Sequence, residues 1–319
     1  MDLIYLDSSM VEVGMLQDFT LDQDVAGEMD FELKLSAKDV ILGLGYYWYI
    51  PDTEYGGKID SRQIDSESNI VTYTGRTWRG ILDSYIVEPP SGSAYRTLTG
   101  TMSGVTSTLL SGFGISSLCS CETNTTALSS FQVDRYATLY KTLTKAAKSL
   151  GLSLGLTCSD GIVLSYHAIN DYSGSVEYSQ DGGLQFRLIE QDATLNHLVC
   201  LGSGELVDRM VRHLYRQADG TTGTTKYYTG VDEVAAVLDY PNAESEAELL
   251  NSGNKRMDET ANSSEFEIRI DDLGILIDDI VAARDRITGM TMKGAVTNII
   301  VKIQDGRVTQ DYTIGGLAT

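Results

Sequence analysis

The chain is 319 residues long, which at roughly 100–200 residues per domain allows two to three domains and a sizeable core. Its 24 basic residues face 45 acidic ones, for a net charge of -21. A surface of that sign is a poor partner for a nucleic-acid backbone or an anionic membrane, both of which select clustered Lys and Arg. Eighteen tyrosines against six phenylalanines point to amphipathic strands with half-exposed rings, or to large protein interfaces.

The N-terminus, MDLIYLDSSMVEVG, has no basic stretch and no continuous apolar run, so it does not read as a signal peptide. No apolar run approaches the roughly 20 residues of a membrane helix. The expectation is a soluble protein made in a cytoplasm, with no membrane insertion. Cys119, Cys121, Cys158 and Cys200 show no disulfide framework.

Up to about residue 95 the chain reads as strands. Met29, Phe31, Leu33 and Leu35 alternate with Asp30, Glu32 and Lys34, the pattern of a half-buried strand. Residues 69–74 read as another, and 78–83 as a short helical turn. Pro89-Pro90 then ends regular structure, which places a boundary near 95. Residues 96–175 change character. Helices are predicted over 103–110 and 138–150, the second with Leu139, Leu143, Ala146, Ala147 and Leu150 on one face and Gly151 at its end. Strands at 152–157 and 162–167 follow, joined through Ser159-Asp160-Gly161. The Ser/Thr-rich stretch 116–130 reads as loop.

Strands resume at 184–189, 196–201 and 206–215, the last favoured over a helix. Pro241 then interrupts, and 244–250 suits a helix stopped by Gly253. Phe266, Ile268 and Ile270 alternate with Glu267 and Arg269, which returns the chain to a sheet. The C-terminus is the most legible part. Asp305-Gly306 is a two-residue hairpin turn of the type that needs positive φ. Closing there pairs Gln304 with Arg307, Ile303 with Val308, Val301 with Gln310 and Ile299 with Tyr312. One face then carries Ile299, Val301, Ile303, Val308 and Tyr312. The other carries Lys302, Gln304, Arg307, Thr309, Asp311 and Thr313, with Ile300 as its exception. A sheet with one dry and one wet face is half of a barrel or sandwich.

No motif compels an enzyme reading. The chain has no phosphate-cradling loop ending in Lys-Ser/Thr and no nucleophile elbow. Gly43-Leu44-Gly45 and Gly112-Phe113-Gly114 lack the βαβ context of a nucleotide site and are better read as turns. Cys119-Ser120-Cys121 lacks two further ligands at metal spacing. His167, His197 and His213 could assemble a nucleophilic constellation only in space, and nothing in their spacing favours it. Asp271-Asp272 and Asp278-Asp279 lack the frame of a calcium loop and read as solvated turn residues around Gly274. Gly202-Ser203-Gly204 fits an anion nest or a turn between strands equally well.

Several stretches, in order, resemble the hub proteins of tailed-phage tails, the baseplate-hub-like proteins that cap the tail tube. They are GRTWRGILDSYIVEPP at 75–90, NHLVCLGSGELVDRMVRHLY at 196–215, VLDYPNAESEAELLNSGNKRM at 237–257, and the C-terminal strand, Asp-Asp-Leu-Gly turn and hairpin. Residues 100–175 match only as a pattern of helix and hairpin, and YYWYIPDTEYGGKID at 46–60 has no counterpart.

The resemblance implies a mainly β protein with α/β insertions: two tube-like antiparallel β-barrels plus smaller inserted domains. The first barrel would span 1–95, the α/β insertion 96–175, the second barrel 176–230 with 264–319, and a helical insertion 231–263. It implies a non-enzymatic, ring-forming homotrimer at the virion tail tip, which adapts a sixfold tube to a threefold tip. The implied partners are a distal tail protein or tube ring, the tape-measure protein and a tip or fibre protein. DNA would pass without specific binding, and no cofactor is implied. Lys302, Arg307, Thr309, Asp311 and Thr313 become candidates for the lumen or a ring interface. Larger relatives continue into fibre, lysozyme-like or peptidase domains, so the chain's end at Thr319 leaves those tasks to partners. The competing readings are a receptor- or carbohydrate-binding tail protein, which tyrosine-rich sheets would suit, and a carboxylate-based cell-wall hydrolase.

Overall fold

The structure is a computed structural model that describes residues 1–38, 42–159, 161–173, 177–179, 185–189, 195–243, 245–261, 265–270, 274–284 and 291–316. The chain begins with β1 (Leu3–Leu6), β2 (Glu12–Leu16), β3 (Thr20–Asp24), β4 (Asp30–Ser36), β5 (Tyr47–Tyr49), β6 (Gly56–Asp65) and β7 (Ile70–Thr77). A mixed stretch follows, with α1 (Trp78–Asp83), β8 (Ile86–Val87), β9 (Thr97–Thr101), α2 (Met102–Gly112), β10 (Cys119–Cys121) and β11 (Ala127–Gln132). It continues through β12 (Ala137–Thr138), α3 (Leu139–Lys148), β13 (Leu152–Cys158) and β14 (Ile162–Ala168). Then come β15 (Glu177–Ser179), β16 (Gln185–Ile189), β17 (His197–Leu201), β18 (Val211–Arg216), β19 (Thr222–Gly223), β20 (Ala235–Asp239) and α4 (Glu246–Ala261). The order closes with β21 (Glu265–Ile270), β22 (Ile280–Arg284), β23 (Thr291–Gln304) and β24 (Arg307–Gly316).

The protein is mainly β, and it divides into two compact units. The first comprises Met1–Gln185, Ile268–Thr291 and Ala295–Ile314; the second is built on Phe186–Glu267. In the first unit one antiparallel sheet runs in the order β24-β23-β3-β4-β7-β6-β5-β1-β2. The N-terminal strands and the C-terminal hairpin are therefore one sheet, joined where Val301 pairs with Gln23 and Ile303 with Leu21. Strict alternation makes it one-sided. On β4, Phe31, Leu33 and Leu35 are buried while Asp30, Glu32, Lys34 and Ser36 are exposed. Leu3, Trp48, Ile59, Val71, Tyr73, Val301 and Tyr312 extend the same dry face. Its buried glutamines are satisfied: Gln23 accepts from the Gly56 amide at 3.2 Å, and Gln310 donates to the Tyr55 hydroxyl at 2.7 Å. Among the described strands this path is open, ending at β2, and they form no closed barrel.

The α/β module packs its own core around α1, α2 and α3, with β13 and β14 as a hairpin and β10 parallel to β14. A threonine caps each helix. The side-chain oxygens of Thr77, Thr101 and Thr138 each accept a backbone amide three residues on, at 3.2 Å. Leu139, Leu143, Ala146 and Ala147 of α3 are buried as their spacing predicts, Lys145 and Lys148 occupy its last turn, and Gly151 follows at φ 69°. β10 and the start of β11 depart from the loop expected over 116–130. β10 is three residues long and depends on β14 for its strand form, a tertiary choice that local composition does not encode.

The second unit is a four-stranded sheet, β19-β18-β17-β20, with α4 against one face. Leu198, Cys200 and Leu214 of the sheet meet Ala243, Leu249 and Met257. The strand expected over 206–215 is shorter: Leu206–Asp208 is a single 3-10 turn, and the strand starts at Val211. The helix expected over 244–250 is longer, running through Gly253 to Ala261. Gly253 is a contact point and not a stop, since a Cβ there would lie 2.7 Å from both Cys200 Sγ and Leu214 Cδ1. In an open helix interior Gly→Ala stabilises by about 1 kcal/mol. Gly253→Ala is instead expected to destabilise by about 1–3 kcal/mol through overpacking, measured as a lower urea midpoint; an unchanged or higher midpoint would contradict this packing.

The acidic pair Asp278-Asp279 also departs from expectation. Both carboxylates are buried and serve as structural acceptors. Asp279 takes the Asn170 amide at 2.9 Å and the Leu276 amide at 3.0 Å. Asp278 takes the Ser153 hydroxyl at 2.7 Å and pairs with Lys148 at 2.7 Å. Apart from Leu276 the donors are more than a hundred residues away in sequence, so adjacency alone suggested a wet turn. Asp271 and Asp272 lie outside the described residues.

Candidate assembly surface

The C-terminal hairpin forms as its turn chemistry dictates. Asp305 and Gly306 take φ values of 52° and 74° between β23 and β24. Ile299, Val301, Ile303 and Tyr312 are buried and Val308 is half-buried. Of the predicted wet-face residues, Arg307 is exposed beside the turn, and Lys302, Thr309, Asp311 and Thr313 are half-buried. Lys302 Nζ pairs with Asp311 at 3.1 Å, and the Thr313 carbonyl accepts from Thr297 Oγ1 at 3.1 Å.

The wet face extends well beyond the hairpin. Lys302 lies opposite Asp22, Asp22 opposite Glu32, and Glu32 opposite Thr74. Lys34 pairs with Glu32 at 2.5 Å and Arg76 with Asp60 at 2.8 Å. Acids prevail at the Asp24–Asp30 end. Burial raises the Asp22 carboxyl above its ordinary value, Lys302 opposes the rise, and Glu32 and Asp311 add to it. Burial, Asp24 and Glu28 raise Asp30. A raised acid disfavours the folded state at neutral pH and is relieved as pH falls through its folded-state value, a cost that at both residues comes first from burial.

Two further candidate contact features, one in each unit, were not anticipated from sequence. β2 closes one end of the sheet and pairs only with β1, so its outer backbone groups form an open edge among the described strands. It carries exposed Val13 (51%) and Met15 (52%), with Val11 beside it. In the second unit the Gly202–Met210 turn presents Leu206 and Val207 at 92% and 95% exposure. That turn is held firmly: Arg209 Nε donates to the Gly202 carbonyl at 3.0 Å, Arg209 pairs with Asp239, and the Met210 amide reaches the Ser203 carbonyl at 2.8 Å. Leu206 also sits at φ 48°, an uncommon region for a branched side chain. Gly-Ser-Gly ahead of Leu-Val-Asp was the available signal for a turn that displays apolar groups.

The residues weighed for chemistry fall into separate groups. Cys119 and Cys158 are buried in the module, and burial pushes both thiols up to about 12, where thiolate chemistry is shut down at neutral pH. His167 sits on β14, in the first unit, whereas His197 and His213 belong to the second. Among the described residues no three His, Cys, Asp or Glu side chains are grouped to hold a metal ion, and no helix is long and apolar enough to cross a membrane.

No protein-family model matches the sequence, and the comparison with curated proteins gives no match. Solved structures do match over nearly the whole chain. The tail protein from Neisseria meningitidis MC58 aligns over 95% of this chain and 93% of its own, with a TM-score of 0.54 at 14% identity. The 43 kDa tail protein of prophage MuSo2 from Shewanella oneidensis aligns over 98% of both chains, with a TM-score of 0.57 at 12% identity. Prophage tail protein gp18 from Listeria monocytogenes EGD-e aligns over 100% of this chain and 95% of its own, with a TM-score of 0.53 at 10% identity. The chain has the fold of these three tail proteins.

Proposed function

We propose that this chain is a structural, non-enzymatic component of a phage tail, a trimeric ring-forming hub at the tail tip that caps the tube and encloses the DNA channel. The observation that carries the reading is the match of fold over nearly full length to three tail proteins. The surface supports it. An open β2 edge with exposed Val13 and Met15, and a fixed turn displaying Leu206 and Val207, are features that an isolated protein leaves uncovered and an assembly covers. In this reading the one-sided sheet is barrel wall, and two such barrels per chain adapt threefold to sixfold symmetry. The wet face, with Lys302, Arg307, Thr309, Asp311 and Thr313, lines the lumen or a ring interface. Its excess of carboxylates repels DNA phosphates, so the genome slides through without binding. Neighbouring tail-tube, tape-measure and tip proteins are the partners.

Light scattering on the purified chain tests this. The expected result is a particle of three times the 34.8 kDa chain mass, seen as a threefold ring with a central hole by negative stain. Val13→Asp with Met15→Asp is expected to weaken the trimer at least about tenfold, since two charges would be buried at the joint. A wild-type monomer at high concentration that binds glycans would overturn the hub reading in favour of a receptor-binding one.

A further inference from the structure

The apolar tip of the Gly202–Met210 turn has a counterpart elsewhere on the chain. In the α/β module a groove of about 300 Å³ runs between β8 and the C-terminal end of α2. Its walls are apolar: Val87 and Leu109 are buried, Phe113 is half-buried and Ile86 is 43% exposed. The Tyr85 ring backs Phe113, with centroids 5.2 Å apart. The groove stays open because α2 ends on a residue without a side chain. Gly112 lines it, and a Cβ there would meet no atom within 4 Å. A cavity of about 150 Å³ holds a benzene ring, so this groove has room for a branched aliphatic side chain and its neighbour.

One residue gives the groove a sign. Arg96 lines it, and its Nε donates to the Glu88 carbonyl at 2.9 Å, which fixes the guanidinium there. Among the described residues no carboxylate pairs with Arg96. The exposed Glu88 side chain is the one group in the groove that opposes an acidic visitor. The turn carries the complementary chemistry. Glu205 and Asp208, both exposed, stand on either side of Leu206 and Val207, and neither acid has an ion-pair partner among the described residues. The turn is already fixed by Arg209 and the Met210 amide, so docking it orders little further chain and loses little entropy. An acid-apolar-apolar-acid tip fits an apolar groove that holds a guanidinium, and this chain supplies both halves.

We infer that the Leu206–Val207 turn of one copy seats in the Ile86–Phe113 groove of a second copy, with its flanking carboxylates toward Arg96. The two patches differ, so the contact is head-to-tail and repeats from copy to copy until a ring closes. This rests on the ring-forming role proposed above and names one of its joints. Light scattering over a concentration series of the full chain tests it. Leu206→Asn with Val207→Ser is expected to weaken association at least about tenfold, through lost burial of two aliphatic side chains. Both positions are exposed, and Asn tolerates the positive φ of Leu206. Gly112→Trp is expected to weaken it as much by filling the groove, at a helical position with space for a side chain. Arg96→Glu is expected to weaken it too, and adding Glu205→Lys with Asp208→Lys to restore part of the loss, because the reversed charges match again. A wild-type assembly that Gly112→Trp leaves intact overturns this contact and leaves the hub reading standing. A wild-type chain that stays monomeric at high concentration overturns both.

Discussion

Arg79→Met is expected to remove about 3–5 kcal/mol of stability, the range for breaking one side of a buried ion pair. The guanidinium is 5% exposed. Its Nε and Nη2 donate to Glu54 Oε2 at 3.0 and 2.8 Å, its Nη1 to the Tyr140 hydroxyl at 3.2 Å, and its Nη2 also to the Leu154 carbonyl at 3.2 Å. Burial alone works against the charge, but Glu54 and Tyr140 outweigh it and hold the group above its ordinary value. Removing the cation leaves the Glu54 carboxylate and the Leu154 carbonyl without their buried donor. The double variant Arg79→Met with Glu54→Leu is expected to recover most of the loss, because the unpaired charge goes with it. Chemical denaturation of the wild type and both variants measures this. A single-variant loss below about 1 kcal/mol, the level of an exposed pair, would show that water reaches the site.

Gly75→Ala is expected to cost upward of about 3 kcal/mol, the top of the overpacking range. β6 and β7 pair with a bulge between Ile59 and Ser61, and Gly75 faces Ile59 at that irregularity. A Cβ there would sit far inside the van der Waals contact distance of the Lys58 carbonyl oxygen and 2.8 Å from the Asp60 amide. These are backbone atoms of a paired strand, so no rotamer change relieves the clash. Thermal denaturation checks it, and a midpoint within about 1 °C of wild type, less than a 1 kcal/mol change produces in a chain of this size, would mean that the bulge relaxes freely.

Both residues fall in the stretch GRTWRG at 75–80, one of those on which the resemblance to tail hubs rests. Its legibility had a physical basis. Gly75 lets two backbones approach, Thr77 caps α1, Trp78 fills the core and Arg79 fastens the module. Elsewhere, what was readable in sequence was what local rules decide: the alternation of β4, the face of α3, the positive-φ turn at Asp305-Gly306. What stayed unread depends on distant partners. Asp278 and Asp279 look solvated until Ser153, Lys148 and Asn170 arrive. Gly253 looks like a stop until Cys200 and Leu214 press against it. The His197–Glu233 contact spans 36 residues and has no spacing signature. The assembly surface was half legible. The wet face of the hairpin follows from alternation, but the β2 edge emerges only from strand order, and the Leu206-Val207 turn only from the path of the backbone.

The Arg79 site also bears on mechanics. Glu54 precedes β6, Tyr140 lies on α3 and Leu154 on β13, so one cation fastens the sheet to both layers of the α/β module within the first unit. In the same region the Cys158 amide reaches the Thr53 carbonyl at 2.9 Å, and the Cys158 carbonyl accepts from the Asp52 amide at 2.9 Å. Sliding the module along the sheet would stretch all of these bonds at once, as rivets loaded in shear, whereas peeling would break them singly. The attachment is therefore stiffest against forces parallel to the sheet plane.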